Sequence, residues 1–248
     1  HKLRAVMGNL SQRVNRAAHP LLARRPPENI ELLVITSDRG LCGAFNANIL
    51  RKAQEFLSDH TARGEHVAVS VVGRKGIDFF RRRQWTILDE WPGVFDRLTY
   101  EHALDIGQTI IDQFQQSRFD HLYVVYNEFK SMLQQHVVVE KLLPIEQLED
   151  ALAPETSSSL TGTGAYLYEP DEDELLAALL PRHFVIQTYR ILLESAAAEQ
   201  AARMTAMDGA TRNAGELIKK VTLFYNKTRQ AAITKELMDI IGGAEALK

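Results

Sequence analysis

Short apolar runs alternate with amphipathic stretches along the first part of the chain. Ile30–Ile35, Val67–Val72 and Leu122–Tyr126 are continuous runs rich in β-branched or aromatic residues, the pattern of strands covered on both faces. Between them, apolar positions recur with a helical period at Ala44–Ala62, Lys75–Arg83 and Thr99–Ser117, and Trp85–Leu88 carries a weaker strand pattern. Strands alternating with helices predict an α/β domain with a mostly parallel sheet and flanking helices. Tyr126–Lys130 and Gln135–Leu143 read as a hairpin that adds antiparallel strands. The Ser/Thr/Gly tract Pro154–Gly164 reads as an exposed loop, followed by a short strand at Ala165–Tyr168 and a helix opening near Asp171 and leading to Pro181.

From Arg182 to Lys248 there is no proline and helix formers dominate. One long helix is the economical reading, and at 1.5 Å per residue it is roughly 90 Å long, too long to be wrapped by a domain of this size. Met207, Ala210, Ala214, Leu217, Val221, Phe224, Thr228 and Ala231 advance by alternating steps of three and four. That heptad seam predicts a left-handed coiled coil. Arg212, Glu216, Lys219, Lys220, Lys227 and Arg229 lie off the seam. Gly209 and Gly215 each weaken a helix by about 1 kcal/mol against alanine, and they fit where a second backbone comes close. The amphipathic stretch near residues 3–18 is too short to pair along the whole seam. The partner helix is therefore expected outside this sequence or from another chain.

Composition narrows the function classes. With 248 residues, 45% hydrophobic and 25% charged, the chain has a globular profile, and its net charge of −3 gives no electrostatic pull toward nucleic acid. No apolar run approaches the ~20 residues that span a bilayer, so membrane association is expected only through partners. A single cysteine, Cys42, excludes an internal disulfide.

Candidate chemistry centres on Ser37–Asn46, SDRGLCGAFN, between the first strand and helix. Gly40 and Gly43 there suggest a tight turn, and backbone N–H groups at a helix start can bind phosphate. Yet the chain has neither GxGxxG nor GxxxxGK[ST], and Val72 leads into Gly73, Arg74 and Lys75 rather than a ribose-binding carboxylate. Arg74 could instead meet a 2′-phosphate. Cys42 at a helix start could be an activated thiol, although no histidine is tied to it by spacing, and a small residue packed under the turn is the plainer reading. The eight histidines show no HxxxH or HxH pattern, so neither metal nor cofactor is expected. Arg81, Arg82 and Arg83 read as a solvated helix end.

SDRGLCGAFN after a strand, VVGRKG at Val71–Gly76, YLYEP at Tyr166–Pro170 and the block Ala197–Leu247, with ARMTAM, NAGELI and YNKTRQAAITKEL in order, together resemble the gamma subunits of F-type ATP synthases. The resemblance implies an antiparallel coiled coil made by the two ends of one chain, with an α/β domain inserted between them. Residues 1–20 would then be the end of an N-terminal shaft helix whose earlier part precedes His1. Residues 28–170 would be a Rossmann-like foot domain, and 171–248 a connecting helix with the long coiled-coil helix. It further implies a non-catalytic rotor whose shaft turns within a ring of alpha and beta subunits, with an epsilon-type subunit and the membrane c-ring at the foot. The location implied is peripheral, on the cytoplasmic face of a bacterial cell membrane rather than the mitochondrial inner membrane. Shaft positions that match the family's contacts with the catalytic ring are Arg229, Gln230 and Thr234, and Ile240, Ile241 and Leu247 match an apolar shaft tip. On the residues alone, a coiled-coil adaptor with a partner-binding α/β domain and a Rossmann-type nucleotide enzyme remain open.

Overall fold

Asn29–Ile35 (β1) pairs with two parallel neighbours at once, and its burial explains why its sequence is apolar almost without interruption. The computed structural model describes residues 19–23, 25–132, 134–145 and 172–246, without the side chains of 172, 173 and 245. The expected loop at 154–164, the strand at 165–168 and the N-terminal helix lie outside the described residues.

After β1 come α1 (Phe45–Ala62), β2 (His66–Val72), α2 (Arg74–Arg82), β3 (Ile87–Trp91), α3 (Tyr100–Gln115), β4 (His121–Phe129), β5 (Gln135–Leu143) and α4 (Glu172–Ala246). The sheet order is β3-β2-β1-β4-β5; the first four strands are mutually parallel and β5 runs antiparallel to β4. The parallel sheet and the hairpin are those expected from the apolar runs.

Two packed layers follow from the period of the strands. In β1, Leu33 and Ile35 face Ile106, Ile110 and Phe114 of α3, whereas Leu32 and Val34 face Ile49 and Leu57 of α1 and Phe80 of α2. Helices thus cover both faces, as a doubly wound sheet requires.

Two helix ends differ from expectation for one reason. At the end of α2, Gln84 takes φ 58 and the Trp85 amide donates to the Phe80 carbonyl at 3.2 Å, so Trp85 belongs to a helix cap and β3 begins only at Ile87. At the end of α3, Ser117 takes φ 58 and the Arg118 amide donates to Gln113. Both are Schellman caps with a left-handed residue other than glycine, so the usual signal is missing from the sequence.

Pro181 lies inside α4 rather than ending a helix before it. Proline there leaves the Ala177 carbonyl without its helical donor. Leu176 and Leu180 before it, and Phe184 and Val185 after it, are all buried in the α3-side core, and that packing holds the helix through the break. The chain divides into two units, one through Arg203 and one from Met204 onward.

Candidate functional site

In this strand order the chain leaves β1 toward β2 on one side and enters β4 on the other. The carboxyl ends of β1 and β4 are therefore the switch point where doubly wound sheets bind ligands. SDRGLCGAFN sits at the end of β1, so its geometry tests the phosphate and thiol readings directly.

The groups an incoming phosphate would need are occupied by the chain itself. The Asp38 side chain is 1% exposed. Its Oδ1 accepts from the Arg74 amide at 3.0 Å and the Gly93 amide at 2.7 Å, and its Oδ2 accepts from the Phe95 amide at 2.9 Å. Arg74 is the first residue of α2, so a carboxylate already caps that helix. The Arg74 guanidinium reaches Asp96 at 3.4 Å, and Arg39 reaches the same carboxylate at 2.8 Å. Arg74 is thus engaged in the chain's own charge network and is not held open for a 2′-phosphate.

Thr36 and Ser37 complete the knot. The Thr36 hydroxyl donates to the Val72 carbonyl at 3.0 Å and accepts from the Gly76 amide at 2.8 Å, and the Ser37 amide donates to Asn46 Oδ1 at 3.0 Å. Cys42, 2% exposed, has its Sγ 3.3 Å from the Asn46 amide nitrogen, with the Ser37 hydroxyl and the Arg39 carbonyl beside it. None of these is a general base, so Cys42 is the packed junction residue. The turn itself departs from expectation at one glycine. Gly43 takes φ 58, but the second left-handed residue is Leu41 at φ 64, and a Cβ on Gly40 would meet only the end of Lys75 at 3.9 Å.

Leu41 is 76% exposed. Close to it, Arg203 donates to the Gly40 carbonyl at 3.4 Å and pairs with the buried Glu199 at 2.5 Å. A polar cleft of about 150 Å³ is lined by Asp38, Arg39, Phe95, Asp96, Glu199 and Arg203. Asp96 pairs with Arg39 and Arg74, Glu199 pairs with Arg203 and Asp38 is held by three backbone amides, which gives a structural network rather than a charged ligand pocket. Neither Asp38 nor Thr36 stands out in the sequence, because their partners lie 36 or more positions away.

From Met204 onward α4 carries the other candidates. Leu217, Val221 and Phe224 of the seam are 61, 58 and 72% exposed, and Met207, Ala210, Ala214, Thr228 and Ala231 are also exposed. A Cβ on Gly209 or Gly215 would meet nothing within 4 Å. Arg229, Gln230 and Thr234 are exposed and make no side-chain hydrogen bond or ion pair with the described residues. Ile218 and Tyr225 are exposed beside the seam, and at 100° per residue the group from Met207 to Thr228 spans an arc of about 120°. Ile233, Leu237, Ile240 and Ile241, also exposed, fall on a different arc, roughly opposite. The heptad count misses this second apolar face because it begins where the seam ends. Among the described residues no helix is long and apolar enough to cross a membrane.

A family model described as ATP synthase matches residues 1–247. The ATP synthase gamma chain of Chlorobium phaeobacteroides is 45% identical over 251 aligned positions, covering 100% of this chain and 84% of the relative. That of an Anaeromyxobacter species is 49% identical over 234 positions, covering 93% of this chain and 77% of the relative. Among solved structures, a chain of the Euglena gracilis mitochondrial ATP synthase aligns with TM-score 0.66 and 22% identity over 99% of this chain and 85% of its own length. A chain of the Tetrahymena thermophila mitochondrial ATP synthase central stalk and c-ring aligns with TM-score 0.60 and 23% identity over 85% and 94%. At those identities the likeness to the solved structures is one of fold.

Proposed function

Because the chain belongs to the ATP synthase gamma-chain family, we propose that it is the central rotating stalk of an F-type ATP synthase and has no catalytic site of its own. The observation that carries this reading within the molecule is the exposed apolar face of α4 beyond Met204. Apolar area of that extent on one helix is stable in water only when another surface covers it.

In this reading residues 28–170 form the foot, residues 171–248 connect to and build the shaft, and residues 1–20 end the opposing shaft helix. The foot meets the c-ring and an epsilon-type subunit, and the shaft rises into the alpha and beta subunits. The complex holds the chain peripherally on the cytoplasmic face of a bacterial membrane. Met207, Ala210, Ala214, Leu217, Val221, Phe224, Thr228 and Ala231 form the seam against the second shaft helix. The second apolar face, from Ile233 to Ile241, suits the tip.

Coupling needs no chemistry in this chain. A partner shifts a conformational equilibrium only by contacting the states differently. A rotating helix whose faces differ presents each catalytic subunit with a different surface at each angle. Arg229, Gln230 and Thr234 supply polar contacts on that surface, and the exposed Arg229 guanidinium suits a partner carboxylate.

Reconstitution tests the reading. The chain, expressed with alpha and beta subunits and membranes of a bacterial ATP synthase deprived of its own gamma chain, is expected to restore ATP-driven proton pumping. Restored assembly without pumping, or stoichiometric ATP binding by the chain alone, would overturn it. Within that system Arg229→Ala is expected to lower pumping or assembly about tenfold, the equivalent of one charge-assisted bond, while urea unfolding of the α/β unit stays unchanged. Leu217→Ala distinguishes shaft from solvent-facing helix. In the chain alone it is expected to shift stability by less than ~0.5 kcal/mol. In the assembled complex it should cost about 2 kcal/mol, read as faster dissociation of the gamma chain.

A further inference from the structure

Glu31 lies in the middle of β1, flanked by Ala68 of β2 and Leu122 of β4, and is 0% exposed. It shares the α3-facing side of the strand with Leu33 and Ile35. The Ser70 hydroxyl of β2 donates to Glu31 Oε1, while Oε2 is buried with no hydrogen-bond partner. Gln113 of α3 donates through Nε2 to Asp89 of β3 at 2.7 Å, and its own Oε1 is likewise buried and unpartnered.

The charges around this group do not balance. From β3 comes the Asp89 carboxylate, from α3 the neutral Gln113 and from β2 the neutral Ser70. Of the cations before β1, Arg25 is turned onto the Phe114 ring at 5.2 Å. On β4, His121 precedes Leu122 and therefore lies on the other side of the sheet. Among the described residues Glu31 has no ion-pair partner. Burial pushes its carboxyl from the ordinary 4.5 up to about 7; the Ser70 hydrogen bond pulls down and the Asp89 charge pushes further up.

We propose that Glu31, Asp89 and Gln113 form a proton-operated latch holding edge strand β3 and helix α3 to the centre of the sheet. With the proton on, the repulsion between Glu31 and Asp89, which lies on β3 next to the Ser70 position of β2, is gone and the buried Oε2 carries no charge. With the proton off, a buried charge stands beside Asp89 and the β3 side of the sheet loosens. The inference rests on residues 25–122 alone and is independent of the rotor reading.

The direction follows from linkage. Glu31 holds its proton in the folded chain up to about pH 7 and in the unfolded chain only to about 4.5. Its contribution is complete below pH 4.5 and is lost as the pH rises to 7. Removing it shifts the unfolding equilibrium on the order of 10²-fold.

Hydrogen exchange of the full chain, corrected for intrinsic rates, tests the latch. Protection of the β3 amides is expected to fall about tenfold between pH 6 and pH 8, with β5 unchanged. Glu31→Gln should flatten that dependence, whereas Asp89→Asn, which removes only the smaller upward cause, should reduce it in part. The same fall in Glu31→Gln overturns the proposal. Carbon-13 titration of the Glu31 carboxyl in the unmodified chain decides the matter without any variant: a midpoint near neutrality supports the latch, and ionisation complete by pH 5 overturns it.

Discussion

Asp38→Ala is expected to destabilise the α/β unit by about 3–5 kcal/mol, since it leaves buried polar groups without their partner. The carboxylate accepts from the amides of Arg74, Gly93 and Phe95. Those amides come from the start of α2 and from the loop between β3 and α3, so one side chain joins three segments at the end of β1. With 1% of the side chain exposed, bulk water does not replace it. Arg39 and Arg74 would also be left sharing Asp96 alone. Asp38→Asn should recover part of the loss, because an amide oxygen can serve Arg74 and Gly93 but an NH2 group then faces the Phe95 amide. Urea denaturation of the three proteins measures the series. A loss under 1 kcal/mol for the alanine variant would show that the hub is not needed to hold the junction.

Gly73→Ala should be more damaging still, by upward of 4 kcal/mol or to the point of no soluble chain. Gly73 takes φ 93, and a Cβ there would stand 2.1 Å from the Thr36 carbonyl oxygen and 2.8 Å from its carbon. Both are backbone atoms of the residue that follows β1, held in place by the Thr36 amide and hydroxyl on the Val72 carbonyl at 2.9 and 3.0 Å, so neither can move aside cheaply. Gly64→Ala separates strain from collision. Gly64 takes φ 83 with nothing within 4 Å of the methyl that alanine would add, and about 1 kcal/mol is expected from the backbone conformation alone. Gly40→Ala, with an ordinary φ and open space, should be close to neutral. Thermal unfolding of the three variants gives the order; equal losses at Gly73 and Gly64 would remove the steric argument.

The two glycines of VVGRKG show how far local reading reaches. That a turn follows β2 is visible in the spacing. That Gly73 touches Thr36, 37 positions earlier in the chain, is not. The same holds at the β1 junction: strand, turn and helix are legible in SDRGLCGAFN, and so is the absence of a phosphate motif. What fills the anion position instead, Asp38, depends on amides contributed from other segments. At Gly40 the local reading also overreached, because Leu41 carries the left-handed backbone.

Periodicity determined most of the architecture. Continuous apolar runs report strands covered on both faces and stretches with period 3.6 report helices with one apolar face, and burial of those faces dictates the layers and the parallel pairing. The seam from Met207 to Ala231 is legible on the same grounds, since a heptad is a property of one helix. Tertiary structure decided what depends on groups distant in sequence. It carried α4 through Pro181 by packing on the α3-side core. It closed the β1 junction over Asp38, and it set Glu31 near Asp89 with no ion-pair partner among the described residues. Each of these is settled by hydrogen bonds, contacts or charges between segments that only folding brings together, and no local pattern of residues encodes them.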